Sequence, residues 1–357
     1  MIPRLPTIGK WQRWTICGLL FLASIHCTVS MFCSNYSYLD LTAYASGAEL
    51  MPYQGRIAMM WILRAAKHSA GITAAAQAID NDLRARHKHS ALIGLTPEKL
   101  VCMGVGFVSM LMMTCTAIWY GQRRFRQLWW LPATLMLTMF YVTYAARYET
   151  ALWYPYDLPH FAVFGIACLA ILEGAWWPAI ILFAIDMPIR ETAIFLALVS
   201  FAVAWARGEK KKGVSLAGSM FALWIPFRLY IARVFAHNGS ETGVHYHRLR
   251  ESVMNPMHWP QTLSAFGFLL IPLWWGRKRL SRVQRYFLLG TIPCLLATLA
   301  FAVWSETRVF DEWILPLAVL VTAECTTWFS DNRAARADSV ESHDALEATP
   351  ELATTWR

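Results

Sequence analysis

The stretch VCMGVGFVSMLMMTCTAIWY, residues 101–120, followed at once by GQRRFRQ, residues 121–127, decides the fold class. The first part contains no charged residue and has the length of about 20 residues that a helix needs to cross a bilayer. The arginines that follow are typical of a cytoplasmic loop. The pattern therefore predicts a transmembrane helix whose carboxyl end faces the cytoplasm.

The composition of the whole chain agrees with this reading. Hydrophobic residues make up 57% of the chain and charged residues 15%, whereas soluble domains carry about 25% charged residues. The formal net charge of +9 would suggest a nucleic-acid partner in a soluble protein. Here the basic residues lie in short loops between apolar runs, which is a pattern of membrane topology, so nucleic acid is excluded as a partner.

Apolar runs recur along the chain and predict an all-α, polytopic bundle of about ten transmembrane helices. The runs lie near 14–34, 101–120, 128–145, 159–173, 175–188, 191–206, 214–233, 263–276, 286–304 and 313–330.

The basic loops orient this bundle. With a cytoplasmic amino terminus, ARGEKKKG at 206–213 and GRKRLSRVQR at 276–285 fall on the same side as GQRRFRQ. The expected location is a bacterial inner membrane, crossed many times, with both termini in the cytoplasm. The short LEGAWW link at 172–177 predicts a hairpin of two neighbouring helices.

Residues 1–330 form the predicted transmembrane domain. Its first extracytoplasmic loop, at about 35–100, contains apolar residues at helical spacing, as in RIAMMWILRAAKHSA from Arg56, and predicts amphipathic helices lying on the membrane surface. A second large loop is expected at about 236–263. The tail at 331–357 has little apolar content, and we expect it to be disordered in the cytoplasm.

Charged residues that the basic loops do not explain gather at the predicted extracytoplasmic ends of the helices. Such groups are costly close to hydrocarbon and usually pair or serve function. They include Asp40, Arg56, Asp157, Asp186, Arg190, Glu191, His245, His247, Glu306, Arg308, Asp311 and Glu312.

The motif DMPIRET, residues 186–192, is the sharpest of these signals, because it leaves no room for a solvated loop between two apolar runs. Arg190 and Glu191 form either a structural ion pair or part of a site in which the planar guanidinium of Arg190 binds a phosphate. SETRVFDEW, residues 305–313, repeats the pattern, with a solvated turn as the alternative.

Histidines invite a metal interpretation in two places, His87-Lys88-His89 and His245-x-His247. Neither pair has a third ligand at a diagnostic spacing, so no metal site is predicted. A divalent cation is the one cofactor that the sequence leaves open.

Several motifs resemble those of bacterial membrane glycosyltransferases of the GT-C type. The resemblance rests on DLTAYASGAELMPYQGRIAMMWILR at 40–64, YPYDLPHF at 154–161, PIRETAIFLAL at 188–198 and ETRVFDEWILPL at 306–317. Enzymes of this type move a sugar from a polyprenyl-phosphate carrier to an acceptor on the extracytoplasmic face, so the resemblance implies these two partners.

The resemblance also implies roles for residues. A carboxylate would deprotonate the acceptor hydroxyl, and arginines would bind the departing lipid phosphate. Asp40 is the expected base from its position after the first helix, with Glu191 as the second catalytic candidate. Substrate binding is expected from Arg56, Asp157, Arg190, Glu306, Arg308, Glu312, His245 and His247. Asp40 is followed by Leu and Thr rather than by a second acid, which departs from a paired-acid motif.

Three other classes of function are alternatives. A polysaccharide polymerase or ligase acting on lipid diphosphates would also use an extracytoplasmic loop rich in His and Arg, as near His245. A transporter would place charges near the middle of the membrane and break helices at matching places in two halves. A non-catalytic partner in polysaccharide assembly would tolerate single loss of Asp40 or Arg190.

Overall fold

The computed structural model describes residues 9–86, 94–144, 152–239, 269–301 and 307–347. Within these ranges the chain is helical apart from one pairing of two very short strands, so the predicted all-α class is confirmed. The helices are α1 (Lys10–Ser34), α2 (Leu41–Ser46), α3 (Ile57–Lys67), α4 (Ala70–Arg86), α5 (Pro97–Arg124), α6 (Leu131–Tyr144), α7 (Asp157–Glu173), α8 (Trp176–Asp186), α9 (Phe195–Ala206), α10 (Lys210–Val234), α11 (residues 269–276), α12 (Arg282–Phe301) and α13 (Ile314–Glu347).

Three short 3-10 helices accompany these α-helices. They span Tyr53–Gly55, Glu191–Ile194 and Thr307–Trp313. The last two lead directly into α9 and α13 and contain residues that the sequence had marked as candidates for a site, and the first ends just before one such residue, Arg56.

Four helical segments in the described part of the chain are long and apolar enough to cross a membrane. They are Lys10–Cys33, Pro97–Arg124, Lys210–Val234 and Phe310–Asn332. The apolar helices α6, α8 and α9 are shorter, with 14, 11 and 12 residues. At 1.5 Å per residue, α8 and α9 reach about 16 and 18 Å, against a hydrocarbon core of about 30 Å.

Helix α7 lies at the centre of the bundle. Its sequence is apolar on every side, as in a helix that is surrounded by others, and it packs against α5, α8, α9 and α13. Gly165 allows the side chain of Leu315, near the start of α13, to approach closely. Because α7 ends at Glu173 and α8 begins at Trp176, the two form the predicted tight hairpin, with Gly174 in the left-handed conformation at the turn (φ 75°).

The segment between α1 and α5 forms a layer of short helices instead of an irregular loop. Helix α3 buries one face, which includes Met59, Met60 and Leu63, and exposes Trp61 and Ile62 on the other. The strands β1 (Tyr36–Ser37) and β2 (Leu152–Trp153) pair in parallel and join the end of α1 to the segment that precedes α7.

The carboxyl-terminal helix differs from expectation. Helix α13 continues past Asp331, where a disordered tail was expected to begin, as far as Glu347. The alanines, glutamates and arginines of this segment are good helix formers, which accounts for the difference. Most of the second large loop, expected at 236–263, lies outside the described residues.

Candidate functional site

Six ionisable side chains are buried together at one end of the bundle, where α7 and α13 begin and α8 ends. We call them the buried polar cluster: Asp157, His160, Asp186, Arg190, Asp311 and Glu312, each at most 5% exposed. They come from three separate stretches of sequence, YPYDLPH, DMPIRET and SETRVFDEW, which the packing of α7 against its neighbours brings together. Burying this many charges is costly, and in a membrane protein it usually marks function.

His160 is the centre of the cluster. Its Nδ1 lies 2.8 Å from Oδ1 of Asp186, and its Nε2 lies 2.8 Å from Oε2 of Glu312. The side chains of all three residues are 0% exposed. The Thr192 hydroxyl donates to the same Glu312 oxygen at 2.7 Å. The imidazole is therefore held between two carboxylates with both of its nitrogens engaged.

Arg190 lies beside this array in the turn after α8. Its backbone N–H donates to the carbonyl of Asp186, which tightens the turn and directs the side chain inward. Nη1 is 3.9 Å from Oδ1 of Asp157, a distance too long for a hydrogen bond. Among the described residues, neither Nε nor Nη1 has a hydrogen-bond partner, although the residue is only 5% exposed. A buried guanidinium with unused N–H groups is able to bind an anion.

Arg56, from the layer of short helices, covers the cluster. It forms a bidentate pair with Glu191, in which Nε donates to Oε2 at 2.9 Å and Nη2 donates to Oε1. Its guanidinium lies 4.3 Å from the centre of the Tyr156 ring, and the Tyr44 hydroxyl donates to its backbone carbonyl. Burial lowers the pKa of Arg56, but the Glu191 carboxylate outweighs burial and raises that pKa well above its ordinary value.

Helix α10 holds the segment around Arg56, which covers the cluster, in position. Arg228 donates to the carbonyls of Gly55, at 3.1 Å, and Met187, at 2.9 Å, and so joins the cover to the turn after α8. Trp224, one helical turn earlier, donates to the carbonyl of Glu191 at 3.1 Å. Glu191 thus pairs with Arg56 and not with Arg190, the partner that the sequence suggested, and the pair belongs to the contact between the short helices and the turn after α8.

The structure brings five of the ten predicted site residues together. Arg56, Asp157, Arg190, Glu191 and Glu312 all lie in the cluster or its cover. Glu306, His245 and His247 lie outside the described residues. Arg308 lies in the 3-10 helix Thr307–Trp313.

Asp40, the expected base, has a local role. It is exposed and precedes α2, where its Oδ1 accepts from the backbone N–H groups of Thr42 and Ala43 at 2.8 and 3.2 Å. These are the hydrogen bonds of a helix N-cap. In the part of the chain that the structure describes, no hydrogen bond or ion pair joins the Asp40 carboxylate to the buried polar cluster.

Three participants were not predicted as site residues: His160, Thr192 and Arg228. A signal existed for His160, since it follows Asp157 by three residues and must share a helix face with it. Thr192 follows Arg190 and Glu191 directly in DMPIRET. Arg228 is a charge inside an apolar run, and such residues usually face a partner.

A metal site was not predicted, and the described residues contain no group of three or more His, Cys, Asp or Glu side chains arranged to hold one. Both nitrogens of His160 already face carboxylates, so the ring offers no lone pair to a metal. Both sequence pairs of histidines, at 87–89 and 245–247, lie outside the described residues.

No family model, curated protein or solved structure matches this chain. The chemistry of the buried polar cluster and the position of that cluster in the bundle are therefore the indications of function.

Proposed function

We propose that this chain is an integral membrane glycosyltransferase that moves a sugar from a polyprenyl-phosphate carrier to an extracytoplasmic acceptor in envelope or exopolysaccharide synthesis. The observation that carries the proposal is Arg190, a buried guanidinium with unused N–H groups next to buried carboxylates. The Arg190 guanidinium suits a phosphate, and the carboxylates suit the removal of a proton from a hydroxyl.

The proposed membrane arrangement has about ten crossings, with both termini in the cytoplasm of a bacterium. Its support is the separation of charge along the bundle, because the basic loops at 121–127, 206–213 and 276–285 join the helix ends opposite to the cluster. If α8 begins at the cytoplasmic surface, its length of about 16 Å brings the Arg190 turn to a depth inside the membrane. The short helices α2 to α4 then form the extracytoplasmic cover.

The proposed reaction uses Glu312 as the base. The acceptor O–H bond breaks, its proton passes to Oε1 of Glu312, and the acceptor oxygen forms a bond to the anomeric carbon. The bond from that carbon to the phosphate oxygen breaks, and its electron pair leaves on the lipid phosphate beside Arg190. Oε1 is suited to this role, because it is buried and has no hydrogen-bond partner among the described residues, while Oε2 is held by His160 and Thr192.

A proton-coupled transporter is the second candidate function. The observation in its favour is the wholly buried Asp186–His160–Glu312 array, because carboxylate and histidine chains serve as proton relays in membrane transport. A polysaccharide polymerase or ligase remains the alternative enzyme, and its support lies in the sequence near His245. Assays with different donors separate these functions.

The test is transfer of labelled sugar from polyprenyl-phosphate donors in membranes that contain the protein. We expect wild type to consume a donor, Glu312→Gln to lose about 100-fold or more of the rate, and Arg190→Lys to lose at least about 10-fold. The lysine keeps the charge but not the planar fork that matches a phosphate.

The matched control is Glu173→Gln. It removes the carboxylate of the Arg124–Glu173 pair, which lies at the opposite end of α7, and should leave turnover unchanged. Consumption of no donor by wild type, or equal activity of Glu312→Gln and wild type, would contradict the proposal.

A further inference from the structure

The number of hydrogens in the Asp186–His160–Glu312 array exceeds what its members hold when each is in its usual state at neutral pH. Two contacts of 2.8 Å join the imidazole to carboxylate oxygens, and each contact needs one hydrogen between its two atoms. A neutral imidazole carries one N–H, and ionised carboxylates carry none. Without a second hydrogen, a nitrogen lone pair would face a carboxylate oxygen at close range. The Thr192 hydroxyl, 3.0 Å from Nε2 and 2.7 Å from Oε2, has one hydrogen and can donate to only one of these two atoms.

We propose that Asp186, His160 and Glu312 form a proton-binding site that holds one proton more than a neutral histidine and two ionised carboxylates would. The proton is either on the ring, as an imidazolium between two carboxylates, or on one carboxyl beside a neutral ring. In both forms the net charge of the array is −1.

The surroundings support retention of this proton. Among the described residues, the other ionisable groups near the array include Asp157, Cys168, Arg190, Arg228, Cys294 and Asp311. The cations of this set are Arg190 and Arg228, and Arg56, which lies over the cluster, is paired with Glu191. Arg228 already donates to backbone carbonyls, and Asp157 and Asp311 are further buried carboxyl groups. A second negative charge on the wholly buried array would therefore be poorly compensated.

The site has a consequence for chemistry at Glu312. In the forms in which His160 has an N–H directed at Oε2, the proton that Glu312 takes from a substrate goes to Oε1, the oxygen without a partner among the described residues. His160 and Asp186 are then positioning residues that act through Glu312. The proton-binding site itself does not depend on the proposed transfer, and it applies equally to a proton-coupled transporter.

Nitrogen-15 NMR of histidine-labelled protein in lipid nanodiscs, combined with infrared spectroscopy of carboxyl groups, tests the proposal without any substrate. We expect one histidine whose two nitrogens stay protonated at pH values where exposed histidines are neutral, or else a protonated carboxyl that persists over the same range. The wild-type spectra alone show whether such a signal is present, so the test does not depend on a variant that folds.

Variants assign the signal. His160→Gln should remove it, and Asp186→Asn should lower the pH at which the array loses its proton, since one of the two carboxylates that hold it is gone. The control is His26→Gln, because His26 is an exposed histidine whose Nδ1 lies 2.7 Å from the Tyr141 hydroxyl. His26→Gln should leave the persistent signal in place. A His160 ring that is neutral at neutral pH, with both carboxyls ionised, would overturn the proposal whether or not the transferase assay succeeds.

Discussion

Two acidic residues, Asp40 and Glu312, show at the scale of single residues how burial separates a structural role from a chemical one. Both were candidates because each lies beside a helix start near the predicted outer surface. Asp40 is exposed and accepts from backbone N–H groups of its own helix, whereas Glu312 is 1% exposed and contacts His160. Capping needs only a short polar side chain at the surface, but a base that works on a buried substrate must itself be buried.

A pair of substitutions at Asp40 tests its role as a helix cap. Asn caps helices about as well as Asp, so Asp40→Asn should keep both stability and sugar transfer, while Asp40→Ala should destabilise the protein by about 1 kcal/mol. Thermal unfolding in detergent and the donor assay measure the two effects. Loss of transfer in a well-folded Asp40→Asn protein would show that Asp40, and not Glu312, is the base.

At the scale of elements, close approach between helix ends determines how the bundle is assembled. Two of the glycines of helix α5, Gly121 and Gly104, differ in what a side chain would contact there. A Cβ on Gly121 would collide with the backbone carbonyl of Trp129, in the connection to α6, whereas a Cβ on Gly104 would meet nothing within 4 Å. The turn between α5 and α6 therefore depends on the absence of a side chain at one glycine only.

Alanine substitutions at these glycines form a matched pair within one helix. We expect Gly121→Ala to destabilise the protein by about 1–3 kcal/mol, because backbone must move to admit the methyl group. Gly104→Ala should be neutral or should stabilise the protein by up to about 1 kcal/mol, since alanine favours helix over glycine. Unfolding midpoints in detergent compare the two variants, and equal effects would show that the contact with Trp129 is not important.

At the scale of the whole molecule, charge is divided between the two ends of the bundle. The polybasic turns join the ends of α5, α9 and α11 and the starts of α10 and α12, whereas the buried polar cluster lies where α7 and α13 begin. This division is what the positive-inside rule expects of a protein whose site opens on the extracytoplasmic side.

Cysteine labelling in intact cells tests this orientation. In a background with the eight native cysteines replaced, Ala74→Cys on the exposed side of α4 should react with a membrane-impermeant thiol reagent from outside. Lys211→Cys, in the first turn of α10 and within the polybasic segment 206–213, should react only after the membrane is opened. The reverse pattern would place the site in the cytoplasm and contradict transfer to an extracytoplasmic acceptor.

The sequence by itself determined the helical class, the positions of the apolar helices and the α7–α8 hairpin. These depend on local properties, namely the length of apolar runs and the residues at turns, such as Gly174. It also marked Arg56, Arg190, Glu191 and Glu312, because a charge beside an apolar run is visible without knowledge of its neighbours.

Only the tertiary structure decided which of these charges meet. His160 and Glu312 are 152 residues apart in sequence, and Arg56 and Glu191 are 135 apart, so no local spacing predicts either contact. The helical form of 331–347 likewise differs from the sequence-based expectation. The roles of Asp40 as a cap and of His160 as the centre of the array follow from burial, which the packing of all the helices around α7 establishes.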